Sequence, residues 1–378
     1  GCIVSVVTVN GFAEPPFERV RAAYEDNFAR YDEVGSALCV KVGGQTVVDL
    51  FAGQYARTDA RIWTKKTLVN VWSTTKGIVA ICYAMLVSRG LMSYDDPVSD
   101  YWPEFAANGK GAITIAELLS HQAALAALEE GASIHDLYAP RAAATLASAN
   151  PLWPPGLISG YHILTFGALV TELFRRIEGR SLKAFVRDEW FIARNWDFHI
   201  GLPEDREDDC AETVVSDTLD LSVRDNPSEL QRRVFTSPLL EPLDANTQEW
   251  KRADLPSANG FANAKAIAEI YASAIDVTEP LLSAHALSAA TAVQYEGRDL
   301  ILTNQSRWGC GFVLNVDGLF GPNERAFGHT GLGGSFGFAD PELGLSMSYT
   351  PNCMGYRLRG DPRGRALIDE VFACLQNL

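Results

Sequence analysis

Ser73 and Lys76 are the residues from which chemistry can be argued first. They bound Ser73-Thr74-Thr75-Lys76, the only Ser-x-x-Lys in the 378 residues. A serine hydroxyl is a weak nucleophile until a base takes its proton, and a lysine at i+3 of a helix lies on the same face within reach. Partial burial and the positive end of a helix both disfavour the ammonium, so Lys76 is expected to serve as a neutral base near pH 7. The plainer alternative is an N-capping serine followed by an ordinary first-turn lysine. A second serine competes. Gly333-Gly334-Ser335-Phe336-Gly337 matches the G-x-S-x-G elbow, which needs a strand-turn-helix context with Asp and then His downstream. Here the following residues read as strand and His329 is the last histidine. Ser335 is therefore read as a small residue in a glycine-rich turn.

The elements that must carry these residues follow from periodicity. Phe17, Val20, Tyr24 and Phe28 give one helix an apolar stripe. The β-rich runs Ala37 to Val42 and Thr46 to Ala52 meet at Gly43-Gly44, a hairpin signal. From Ser73 to Arg89 the pattern is helical and apolar nearly all round, so a buried helix is expected, stopped at Gly90. Thr114 and Glu117 form a capping-box pair, and a strong helix runs from Phe166 to Ile177. After Asn263, read as an N-cap, strand character returns in Gly311 to Val316, Ser335 to Ala339 and Leu345 to Tyr349. A last amphipathic helix holds Leu367, Val371, Phe372 and Leu375. Strands near both ends with helices between imply an α/β (α+β) fold, one antiparallel sheet interrupted by a helical insertion.

Composition narrows the function. A formal net charge of −15 argues against nucleic acid and against anionic membrane as partners, because both need clustered Lys and Arg. Seven scattered cysteines (Cys2, Cys39, Cys82, Cys210, Cys310, Cys353, Cys374) contain no C-x-x-C pair, so neither a zinc knuckle nor a disulfide framework is expected. With no basic-then-apolar leader and no membrane-length apolar run, a cytoplasmic location is expected. His135, His199 and His285 are isolated, and no metal-ligand spacing occurs. No cofactor or metal is expected.

Taken together, Trp72 to Gly77, Leu91 to Phe105, Ile115 to His121, Trp153 to Gly167, Ser257 to Ala264 and Gly328 to Pro341 resemble the β-lactamase-fold serine hydrolases, and most closely family VIII carboxylesterases. Class C β-lactamases and serine DD-peptidases are related members. The resemblance implies that Tyr161, after Trp153-Pro154-Pro155-Gly156, is the catalytic tyrosine, its phenol pKa depressed by two nearby cations. It implies that His329-Thr330-Gly331-Leu332 stands for the family's Lys-Thr-Gly strand, with His329 and Gly331 on the substrate and His329 orienting the site electrostatically. The backbone N–H groups of Ser73 and Leu332 would then form the oxyanion hole. His121 is read as a brace.

Two departures matter. Class C members carry Asn two residues after the tyrosine, whereas this chain reads Tyr161-His162-Ile163, and His329 replaces a permanently charged lysine. Lactam handling is therefore expected to be weak. The expected architecture is an α/β domain from 1–95 and 256–378 with an all-helical domain, 96–255, between. The expected activity is hydrolysis of small, neutral, short-chain acyl esters through an acyl-Ser73 intermediate, with a small-molecule ester as the partner. The alternatives are a β-lactamase or D-amino-acid peptidase and a catalytically silent penicillin-recognising binding protein.

Overall fold

Alternation along three neighbouring strands explains why the molecule has the layers it has. In the computed structural model, which describes residues 7–378, the odd-numbered residues Leu345, Met347 and Tyr349 of strand Leu345–Pro351 join Phe336, Phe338, Leu38 and Val40 on one face. On the other face stand Ala37, Cys39, Gly337, Ala339, Ser346 and Ser348, all small. The large-residue face buries the helices Glu18–Arg30 and Pro362–Gln376, drawn from the two ends of the chain. The small-residue face lets helix Ala264–Ile275 approach through Ala264 and Ala268. The approach is close: Ser346 Oγ donates to Ala268 O at 2.9 Å, and a Cβ on Gly337 would stand 2.5 Å from Ile267. Each fully buried large side chain on the opposite face contributes about 1.5–3 kcal/mol.

The sheet these helices sandwich is antiparallel at every pairing. Its order is Asn10–Ala13, Gln45–Ala56, Gly35–Val42, Leu345–Pro351, Phe336–Asp340, Phe327–Thr330, Val313–Leu314, Gln305–Trp308 and Tyr295–Arg298, with Asp59–Ile62 added to Gln45–Ala56. The two chain ends thus meet side by side in the middle of the sheet, where Leu345–Pro351 pairs with Gly35–Val42. Gly43 and Gly44 take φ of 59° and 82° in the hairpin turn, the positive values that a primed turn requires.

Several expectations need adjustment. The strand expected over Gly311 to Val316 narrows to Val313–Leu314, because Gly311 bends at φ 92°, where a Cβ would press on Ala80 at 2.8 Å. The segment between the sheet halves holds short helices and helix Thr165–Glu178, and also two short strands, Phe198–Ile200 and Val214–Val215. Two or three residues are too few for an alternation to register in sequence. Phe198–Ile200 pairs with Gly260–Ala262, which pairs in turn with Val69–Asn70. That small sheet ties the middle segment to the chain just before Ser73. Cys2 lies outside the described residues; the other six cysteines are buried and free. Among the described residues, no helix is long and apolar enough to cross a membrane.

Candidate active site

Helix Thr74–Ser88 runs through the core with Thr74 to Leu86 all buried, as its apolar circumference requires. Trp72, immediately before Ser73, sits at φ 52°, a left-handed conformation that costs a bulky residue free energy and is held by its surroundings. Its consequence is a sharp entry to the helix that leaves Ser73 half-exposed at the tip. Ser73 does not cap the helix: its backbone is already helical and its side chain makes no capping bond. The hydroxyl is thereby free for other partners, which removes the plainer reading of the motif.

Those partners are the expected ones. Lys76 Nζ lies 2.8 Å from Ser73 Oγ and Tyr161 OH donates to the same oxygen at 2.7 Å. Lys76 Nζ also meets two backbone carbonyls, Ile163 O at 2.8 Å and Ser257 O at 3.0 Å. An ammonium would donate to all three oxygens. A neutral amine keeps two N–H groups for the carbonyls and turns its lone pair to the Ser73 hydroxyl. Burial favours the neutral form, pulling the amine's pKa well below the usual lysine range, because the charged form loses its hydration without an acidic partner. The three contacts give the geometry that a base would need to take the Ser73 proton.

Tyr161 departs from expectation in its electrostatics. Its phenol is not depressed; burial raises it, and the bond to Ser73 and the charge of Arg359 offset this only in part. The reason is that burial strips the phenolate of its hydration. Tyr161 is therefore a neutral donor. Its ring stacks on Trp308 at 5.8 Å and 17°, His121 meets it edge-on at 4.8 Å, and its backbone N–H donates to Asp299 Oδ1 at 3.2 Å. His121 acts as the brace expected of it, its Nδ1 accepting from His162 N at 3.0 Å.

His329 stands on strand Phe327–Thr330, buried, with Nδ1 donating to Thr330 O at 2.7 Å. Burial pushes its pKa down to about 3. It therefore carries no charge at neutral pH, and the expected electrostatic orienting role is corrected: His329 is a neutral wall beside Trp308 and Tyr161. After it, Gly331 N donates to Ser335 O at 2.8 Å and Gly334 N to Gly331 O at 3.1 Å. This tight turn relies on Gly333 and Gly334 at φ 87° and 120°. Among the described residues the N–H groups of Ser73 and Leu332 find no backbone acceptor, which leaves both open to an oxyanion. A cavity of about 90 Å³ is lined by Ser73, Tyr161, Ile163, His329, Gly331 and Leu332, and by further side chains, most of them apolar.

Sequence reasoning missed the supports. Ser335 is buried, its hydroxyl donating to Val71 O at 2.8 Å and sharing a 2.9 Å bond with Thr74 Oγ1; it pins the turn to the entry of the Ser73 helix. Arg363, fully buried, donates to Gly333 O at 2.7 Å and pairs with Glu33 and Asp361. No local pattern marks Arg363, Trp308 or Asp299, since each acts from a distant part of the chain.

This constellation has relatives. The Beta-lactamase family profile matches residues 20–370. Esterase/beta-lactamase LipL of Mycobacterium tuberculosis is 32% identical over 372 residues, spanning 91% of this chain and 83% of that protein. A family VIII carboxylesterase crystal structure superposes with a TM-score of 0.91 at 36% identity, covering 97% of this chain and 100% of its own. A penicillin-binding protein homologue from Caulobacter crescentus superposes at 0.88 with 35% identity, covering 97% and 100%. With the likeness running through nearly its whole length, the chain belongs to the Beta-lactamase family.

Proposed function

We propose that the protein is a serine carboxylesterase that cleaves short-chain acyl esters through an acyl-Ser73 intermediate. One observation carries the reading: the Ser73 hydroxyl lies within 2.8 Å of a buried lysine amine and 2.7 Å of a tyrosine hydroxyl. Names of relatives support it, two of them carrying the words esterase and carboxylesterase. In this reading Lys76 accepts the Ser73 proton as Oγ attacks the ester carbonyl, and the Ser73 and Leu332 N–H groups receive the oxyanion. The carbon–oxygen bond to the alcohol then breaks, and the departing alkoxide takes a proton from Tyr161, which Lys76 replaces. Water then gives a proton to the same pair as its oxygen attacks the acyl carbon, the bond from that carbon to Ser73 Oγ breaks, Oγ takes the proton back and the acid leaves. The site lies in the crevice between an α/β body, 1–95 and 256–378, and the inserted segment 96–255. Apolar walls suit a short neutral acyl chain, and Ile163 among them brings no amide to the position two residues after Tyr161.

Intact-mass and peptide analysis after a fluorophosphonate probe should place one adduct on Ser73, and Ser73→Ala should abolish turnover. An adduct on Ser335 would sink the mechanism. Steady-state comparison of C2 to C4 p-nitrophenyl esters with a chromogenic cephalosporin decides between the esterase and β-lactamase readings. Each lost polar contact costs about 1–3 kcal/mol, or one to two orders of magnitude in kcat/KM. The ester is expected to win by at least that margin; a cephalosporin turned over as efficiently as the best ester would favour the β-lactamase alternative.

A further inference from the structure

Ser73 and Lys76 are fixed by one buried helix, but Tyr161 is not part of it. Tyr161 lies in the irregular stretch that precedes helix Thr165–Glu178, so no ladder of backbone hydrogen bonds sets the point from which its phenol reaches Ser73. Buried N–H groups in such a stretch need partners from elsewhere in the chain. Two of its neighbours turn to His121: Gly160 N donates to His121 O at 2.9 Å and His162 N to His121 Nδ1 at 3.0 Å. The N–H of Tyr161 goes to Asp299 instead. Asp299 opens the turn of the hairpin at one edge of the sheet, between strands Tyr295–Arg298 and Gln305–Trp308. Its backbone closes that turn, Asp299 N donating to Asn304 O and Thr303 N to Asp299 O, each at 2.9 Å. Its side chain is fully buried, and Oδ1 gathers three N–H groups, from Leu302 at 2.8 Å, Ile301 at 2.9 Å and Tyr161 at 3.2 Å. Among the described residues Oδ2 meets no donor. A cap for the turn needs only the first two bonds, and Ser or Asn supplies them without the cost of burying a carboxyl group. The third bond is the one that leaves the hairpin.

We propose that Asp299 is a positioning residue for the esterase reaction and acts through Tyr161. The inference rests on Tyr161 as the group that protonates the departing alcohol and deepens that reading. The hairpin grips the tyrosine at both ends: Asp299 holds its backbone, and Trp308, on the returning strand, stacks on its ring at 5.8 Å and 17°. Leu300 N adds a bond to Ser159 O at 2.9 Å, two residues before the tyrosine. Asp299 thereby sets where the phenol stands over Ser73. The 2.7 Å bond from Tyr161 OH to Ser73 Oγ tolerates little displacement, and a shift of a catalytic group by about 1 Å costs on the order of a hundredfold in rate.

The test is a mutant cycle. Asp299→Ser keeps an oxygen for the turn but ends one atom short of Tyr161 N, whereas Asp299→Asn keeps an oxygen for all three N–H groups. Each is made in the wild type and in Tyr161→Phe, and kcat/KM is measured for two esters of one acid, ethyl butyrate and 4-nitrophenyl butyrate. Asp299→Ser should lower kcat/KM for ethyl butyrate about ten- to a hundredfold, and Asp299→Asn should lose only several-fold. The loss should be smaller for 4-nitrophenyl butyrate, because nitrophenolate departs without a proton. In Tyr161→Phe neither substitution should slow turnover by more than about twofold further. A loss that persists undiminished in Tyr161→Phe, or one equal for the two esters, would overturn the proposal and show Asp299 to be a support of the fold. Equal losses in Asp299→Ser and Asp299→Asn would overturn the hydrogen-bond clamp, since only charge then separates both from the wild type. Circular dichroism and urea midpoints establish folding, and Asp299→Asn carries the comparison by itself if Asp299→Ser is unfolded: a rate equal to wild type would then overturn the clamp. Tyr161→Phe hydrolysing ethyl butyrate at the wild-type rate would instead overturn the reading of Tyr161 beneath it.

Discussion

Lys76→Met separates the two things that lysine does. Methionine keeps the length and removes the nitrogen, so Ser73 loses its base while the carbonyls of Ile163 and Ser257 lose their donor. Loss of a positioned base lowers kcat by about a hundred- to ten-thousandfold. The two lost hydrogen bonds cost about 1 kcal/mol each, so about 2 kcal/mol of stability at alkaline pH. The pH dependence has a definite sign. Burial pulls the Lys76 pKa well below its ordinary value in the folded protein, whereas the unfolded chain stays protonated up to that value. The unfolded state therefore binds the extra proton, and wild-type stability falls as pH falls, by as much as about 1.4 kcal/mol per unit, until the folded-state pKa is reached. The methionine variant lacks this loss. Its deficit should be largest near pH 10, close within about two pH units below it and then reverse. Urea unfolding of both proteins from pH 7 to 10, with kcat for a short ester alongside, measures each part. Parallel stability curves across that range would show Lys76 charged in the folded protein, and a kcat within tenfold of wild type would remove it as the base.

Tyr161→Phe keeps the ring stacked on Trp308 and deletes only the hydroxyl, so kcat should fall about a hundredfold or more with little change in melting temperature. Because Lys76 and Tyr161 act on one oxygen, the Lys76→Met/Tyr161→Phe double variant should be little slower than the slower single variant; additive losses in single-turnover kinetics would show that they work separately. Gly337→Ala forces a Cβ to within 2.5 Å of Ile267 and 3.0 Å of Tyr271, and should destabilise by about 1–3 kcal/mol in denaturant unfolding. An unchanged midpoint would mean that helix Ala264–Ile275 can move away from the sheet without cost.

Much of the site was legible because its main parts are local patterns. Ser73 and Lys76 are three apart on one helix, so their spacing alone puts them in contact, and that contact does not depend on what packs around it. The glycine pair at Gly43-Gly44, the Thr114 and Glu117 capping box and the Asn263 cap were equally readable, each being a bond closed within a few residues. The central antiparallel sheet followed from strands at both ends of the chain, and Tyr161 and His329 were placed by resemblance. What charge these groups carry was decided by tertiary structure. A pKa reports the solvation and neighbours of an atom, and both are set by residues far away in sequence. Tyr161 was expected to be depressed by two cations, yet burial outweighs the charge of Arg359 and raises the phenol. His329 loses its charge for the same reason. Arg224 and Arg359 are unremarkable in sequence, and only folding brings these residues, 135 positions apart, to the wall of one cavity.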